Sequence, residues 1–344
     1  MNESKNTIEL TGLDGSNPLA FLAALGTLYL LNRMSGAVRT FGMSRLSWAS
    51  PSLAPSLHFD SGVNADALVQ NLTHCVRSHF ANGQRPYFLY NDIIAIEPDK
   101  FRSVIDRSIG NHDEAVIDLL SGFGTDAVVQ TGGKKAGCIE PSEISFSNGQ
   151  SMRYLLDAYS ELVNGLTTKS STYAPVDAGK IKEALFSPWT YTDHHKELRW
   201  DPTELRLGAM PSQARGTVVG ANVLAFWSFA MLRSMPTSNG LQTTAVHRIS
   251  GAKRRRTYFL MPQWRYPAAF EVVRTLMESD LLRLYAITSR RLRASSVLSN
   301  DDKELDRKHA TTAAHLNAQG ITHVFACEII TEMKANYFAP SFEL

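Results

Sequence analysis

The stretch PLAFLAALGTLYLL, Pro18 to Leu31, carries no charged side chain. It is too short to cross a bilayer core, which takes about 20 residues, yet as a helix it is apolar on nearly every face. Such a helix has to be covered by protein all round, so the chain must fold with this segment at the centre of a core. Its start is marked. Asp14-Gly15 is a turn signal, Asn17 suits an N-cap, and Pro18 falls at the first helical position, where its missing N–H costs nothing. With IELTG before it, the segment reads strand, turn, helix. The residues ahead, MNESKNTIELTGLDGSN, mix acids with lysines and form no compact basic run, and no small-residue cleavage site follows, so a secretory leader is not expected. Three cysteines, Cys75, Cys138 and Cys327, are odd in number and far apart, which suggests neither a disulfide framework nor a cysteine zinc site. A cytoplasmic protein is expected.

The remaining pattern predicts an α+β protein of mixed helices and short antiparallel sheets, with a mainly helical C-terminal part. Strands are expected in VRTFGMSRLSWAS and SLHFD, either side of a break at Pro51. Helices are expected in NADALVQNLTHCVRSHFA, PDKFRSVIDRSI and DEAVIDLLSGFG. A strand, a glycine-rich turn, a strand and a helix follow from Ala127 to Leu166. Residues 186–217 give no clear signal. A second apolar helix spans VVGANVLAFWSFAMLRSM, a helix begins after Pro267, and the tail from Lys303 reads as mostly helical. With 344 residues, 44% of them hydrophobic and 20% charged, the chain is of the soluble globular class, and its length favours two domains, 1–175 and 176–344.

The formal net charge of +2 hides an asymmetry. From Val246 to Arg293 eleven lysines and arginines face only Glu271, Glu278 and Asp280. Within this segment LQTTAVHRIS and RTYFLMPQW read as a hairpin whose loop is GAKRRR. A Lys-Arg-Arg-Arg run concentrates guanidinium forks that match phosphate geometry, and the aromatics Tyr258, Trp264 and Tyr266 suit stacking on unpaired bases. Strand alternation would bury about half of those aromatics. The plainer alternative is a solvated hairpin tip whose charges discourage edge pairing. Because the positive charge continues beyond the loop, a nucleic-acid surface is expected from Arg248, Lys253, Arg254, Arg255, Arg256, Arg290, Arg291 and Arg293, with Lys134 and Lys135 in QTGGKKAG as further backbone contacts.

Other chemistries have less behind them. TDHHKE places Asp193, His194 and His195 together, but neighbours on a strand point to opposite faces. His112-Asp113 reads better as the N-cap of DEAVIDLL than as a metal doublet. His74 and His79 miss the helical i, i+4 spacing of a zinc pair. His309, His315 and His323, with Asn317 among them, match a nuclease-like trio in letters only. QTGGKKAG lacks the Ser/Thr and following helix of a P-loop, since Ala136 comes after Lys135. No catalytic residues, no metal and no cofactor are expected.

LTGLDGSNPLAFLAALGTLYLL resembles the opening of proteins encoded in type I CRISPR loci, above all the large-subunit-like proteins of the type I-G (formerly I-U) systems, which often begin with a strand, a Gly/Asn-Pro turn and a helix ending in an ALG-L-L pattern. PWTYTDHHKELRWDP (188–202), GANVLAFWSFAML (220–232) ahead of GLQTT (240–244), and YFLMPQW (258–264) look like pieces of the same set. The resemblance implies a non-catalytic subunit of an RNA-guided surveillance complex. Such a subunit contacts guide RNA, reads the motif flanking the target and helps to hold opened DNA. Its partners would be guide RNA, target DNA, other effector subunits and a helicase-nuclease, with the helical tail serving as a built-in small subunit. Two other classes stay open: a metal-dependent nuclease or phosphoesterase using Asp193, His194 and His195, and a protein–protein adaptor of a defence operon.

Overall fold

A computed structural model describes residues 5–34, 40–48, 51–78, 96–133, 136–146, 152–167, 172–193, 198–203, 216–250, 255–289, 291–292, 300–332 and 335–344. In chain order the elements are β1 (Lys5–Glu9), α1 (Pro18–Arg33), β2 (Arg45–Trp48), β3 (Pro55–Val63), α2 (Ala65–Ser78), α3 (Pro98–Gly110), α4 (Glu114–Phe123), β4 (Gly124–Val129), β5 (Ile139–Pro141), α5 (Met152–Asn164), β6 (Leu166–Thr167), β7 (Thr172–Tyr173) and α6 (Ala178–Phe186). Then come α7 (Val219–Phe226), which runs into a 3-10 turn at Trp227–Ala230, β8 (Ser234–Thr237), β9 (Gly240–Thr243), β10 (Val246–Ser250), β11 (Arg255–Trp264), β12 (Ala268–Ala269), α8 (Phe270–Met277), α9 (Asp280–Thr288), α10 (Asn300–Ala318), β13 (Ile321–Glu332), β14 (Ala335–Phe338) and β15 (Phe342–Glu343). This is the α+β class expected, and its sheets are antiparallel. No helix among the described residues is long and apolar enough to cross a membrane.

Helix α1 lies at the centre, as its composition demands. The Asn17 side chain accepts from the Leu19 and Ala20 amides at 2.8 and 3.3 Å, and every residue from Pro18 to Leu31 is buried. Phe21 joins the two main sheets. Its ring stacks on Trp48 of β2 at 5.4 Å and meets Phe259 of β11 edge-on at 6.1 Å. One sheet has the order β1-β3-β2-β12; the other runs β10-β11-β13-β14, with β15 also pairing β13. Against the opposite flank of α1 lies α7. A Cβ on Gly26 would stand 1.8 Å from the Leu224 carbonyl oxygen, so this crossing admits no side chain at all.

Residues from both sides of position 175 share one core. β12 pairs with β2, Phe146 packs edge-on against Phe338 at 4.8 Å, and the Trp227 indole N–H donates to the Tyr159 hydroxyl at 2.8 Å. A buried charge cluster adds to it. Asp118 accepts from Tyr29 and from Arg274, both at 3.2 Å, while Arg274 also donates to the Ala230 carbonyl at 2.8 Å. Arg274, a member of the basic segment, is therefore a core residue.

The tail differs from the helix expected there. α10 is present, but Gly320, at φ +88°, ends it, and the next residues form β13, the longest strand among the described residues. In ITHVFACEII the run Val324 to Cys327 is buried without a break because protein covers both faces of the strand. A continuous apolar run has no period to separate strand from helix. The C-terminal part is consequently mixed, carrying the five-stranded sheet together with α7 to α10.

Candidate nucleic-acid interface

The expected hairpin is present. β10 and β11 pair antiparallel from Val246↔Phe259 to Ser250↔Arg255, and β13 continues the ladder on the other side of β11 from Thr257↔Ile329 to Trp264↔Ile321. Tyr258, Phe259, Leu260 and Met261 are all buried, so β11 is packed on both faces. The stem is thus an integral part of the core.

Of the expected phosphate contacts, Lys134, Lys135, Lys253, Arg254, Arg290 and Arg293 lie outside the described residues, and Arg255 is described only in its backbone. Arg256 is exposed beside the last pairs of the ladder, with Nη1 3.4 Å from a Glu328 carboxylate oxygen. Arg248 is differently placed. Its guanidinium lies 3.1 Å from Glu143 and 3.6 Å from Glu140, and it donates to the Asn239 carbonyl at 3.3 Å. Glu143 also accepts from the Thr243 amide and hydroxyl at 3.2 and 2.7 Å. Arg248 therefore braces the hairpin stem against the β9 strand. Arg291 bonds to the Glu343 carbonyl on β15, on the far side of β13 from β10. The two ends of the basic segment accordingly sit at opposite margins of one sheet.

Reasoning from sequence missed the partners of Arg248, because Glu140 and Glu143 are about a hundred positions upstream and no local pattern links them to the hairpin. Arg283, counted in the basic segment but given no role of its own there, is exposed on α9. Burial, and after it the Arg283 charge, push His247 down to about 4, against a weaker opposing pull from Asp280. His247 is a neutral ring within the hairpin stem at ordinary pH. Among the described residues its Nε2 has no hydrogen-bond partner.

The three aromatics separate sharply. Tyr258 and Trp264 are core residues, 3% and 1% exposed, whereas Tyr266 is 61% exposed. The Trp264 indole N–H donates to the Leu46 carbonyl at 2.6 Å, which joins the two sheets.

Among the described residues, those considered for metal chemistry do not converge. Asp193 is ion-paired with Lys180, and its carbonyl accepts from the Thr217 amide at 2.6 Å; His194, His195 and His79 lie outside the described residues. Asp113 caps α4 through the Val116 amide at 3.3 Å, and His74 is exposed on α2. His309 stacks on Tyr285 at 4.2 Å, His315 is exposed on α10, His323 pairs with Glu343 at 2.7 Å, and Asn317 bonds to Arg265. No group of three His, Cys, Asp or Glu suited to a metal ion occurs among the described residues. Burial holds the Cys327 thiol well above its ordinary range and pushes Cys75 up to about 11, which leaves both protonated and unreactive.

The stretches that carry the CRISPR resemblance are neighbours in space. Asp201 accepts from the Asn17 side-chain amide at 3.3 Å and from the Tyr191 hydroxyl at 2.8 Å, while Gly26 and Phe21 bring α7 and β11 against α1. No family model matches the chain, and neither the curated proteins nor the solved structures offered a similar one.

Proposed function

We propose that the protein is a non-catalytic, cytoplasmic nucleic-acid-binding subunit of an RNA-guided surveillance complex of the type I CRISPR kind. The reading joins the sequence resemblance to one observation, the β10–β11 hairpin. Its stem is locked in the core, and the run Lys253–Arg256 leads from the end of β10 into β11. The run thus adjoins a stem packed into the core, and backbone pairing of the two strands makes no demand on its charge. In such a complex base pairing with the guide reads the sequence, and the protein needs backbone-directed cations in place of a base-reading surface. Arginine is the side chain suited to that task. The partners would be guide RNA, target DNA, sister subunits and a helicase-nuclease.

The test is binding to RNA and DNA as a function of salt, with Lys253, Arg254, Arg255 and Arg256 all replaced by alanine. Affinity should fall on every sequence, and the log–log salt slope should flatten by up to about 0.9 for each duplex phosphate that the protein no longer neutralises. Unchanged affinity and slope would remove the hairpin as the binding element and favour the adaptor role in its place.

A further inference from the structure

We infer that Tyr266, flanked by Arg265, is a stacking platform for one unpaired base of single-stranded nucleic acid, at the end of β11 remote from the basic run. The inference rests on the proposed nucleic-acid role and gives it a second, chemically distinct contact.

Tyr266 is the most exposed of the large apolar side chains among the described residues, at 61%. A solitary exposed tyrosine is ordinary; this one is built in. On its N-terminal side the Arg265 amide donates to the Gly320 carbonyl at 2.9 Å, and Trp264 is buried. On its C-terminal side Ala268 pairs with Leu46. Beneath the ring lies the turn that ends α10. Gly320 has φ +88°, and a Cβ there would stand 2.6 Å from Tyr266 Cδ2. That position demands glycine both for its backbone and for the space the ring occupies. Arg265 bonds to the Asn317 side chain and to its carbonyl at 3.4 Å, which holds its guanidinium carbon 5.5 Å from the Tyr266 ring centre.

The result is an exposed aromatic ring seated against the Gly320 turn, with the Arg265 guanidinium over it. Seating the ring on that turn in advance lowers the ordering cost of binding. A nucleobase offers a π face for the ring, and the phosphate of the strand's backbone complements the arginine. The adjoining stretch TTAAHLNAQGIT, 311 to 322, holds no acid that would repel an anion. β11 is 10 residues long, so platform and basic run are separated by roughly 30 Å. At that distance the two contacts should contribute independently.

The experiment measures fluorescence anisotropy of labelled oligo-dT, oligo-rU and a DNA duplex with the intact protein, with Tyr266→Ala, Tyr266→Leu and Tyr266→Phe, and with the four-alanine loop variant. Tyr266→Ala and Tyr266→Leu should weaken both single strands about 5- to 150-fold, leave the duplex unchanged and keep the salt slope. Tyr266→Phe should bind as the parent does. The leucine variant keeps apolar bulk on the Gly320 turn, so its weaker binding cannot be assigned to unfolding. Equal single-strand affinity in the parent and the leucine variant, or an equal weakening on duplex, would overturn the platform. Loop-dependent binding that ignores Tyr266 would overturn it alone, whereas a parent protein that binds none of the three probes would overturn the proposed function with it.

Discussion

The crossing of α1 with α7 and the hairpin of β10 with β11 use opposite materials. At the crossing, backbone meets backbone and even a methyl group on Gly26 has no room. Along the hairpin, buried strands end in a run of some of the longest and most solvated side chains available. The first region holds only what packing requires. At the second, Lys253 to Arg256 go beyond anything a strand connection needs, and side chains that the fold does not need are where a binding function is sought.

Several substitutions press on this contrast. Gly26→Ala should be the most damaging. The added methyl meets a backbone carbonyl that cannot rotate aside, and a loss on the order of 3 kcal/mol or more is expected in the urea unfolding free energy. A neutral Gly26→Ala would show that the two helices do not cross backbone to backbone. The hairpin stem should side with the core. His247 is held neutral in the folded state, down to about 4, and returns to about 6.5 when unfolded. The unfolded chain then binds the additional proton between those values, so this share of stability is complete above pH 6.5 and is lost as pH falls toward 4. It amounts to something on the order of 3 kcal/mol. His247→Leu should remove that part of the pH dependence, and superimposable profiles for the two proteins would show that burial does not suppress the charge. The four-alanine loop variant should have the smallest effect on folding, within about 0.5 kcal/mol of the parent, although the proposed function gives it the largest effect on binding. An unfolding penalty comparable to that of Gly26→Ala would erase the distinction between frame and grip.

What the sequence revealed follows the same division. The α1 cap at Asn17 and Pro18, the Asp113 cap and the β10–β11 pairing were all legible, because each depends on residues a few positions apart. The central strand β13 was not. It sits beside β11 across a large separation in sequence, and its buried run hides the alternation that marks a strand. Within the candidate site, the concentration of charge was visible, but its sorting was not. Nothing local distinguishes Arg248, which braces Glu140 and Glu143, or Arg274, which is buried on Asp118, from Arg256 at the open end of the ladder. Likewise Tyr258, Trp264 and Tyr266 look alike until the turn at Gly320 is in place to hold one of them at the surface.

The late position of β13 has a consequence for the nascent chain. β11 has one neighbour, β10, as soon as the hairpin forms, but its other edge stays unpaired until residues 321–332 have been made. At about 5–20 residues per second the wait lasts on the order of seconds. Through that interval the ribosome holds a long, apolar strand with an open edge, the kind that joins its like on neighbouring chains. The cations that precede the strand in sequence are already present, and like charge on adjacent nascent chains opposes the pairing of those edges.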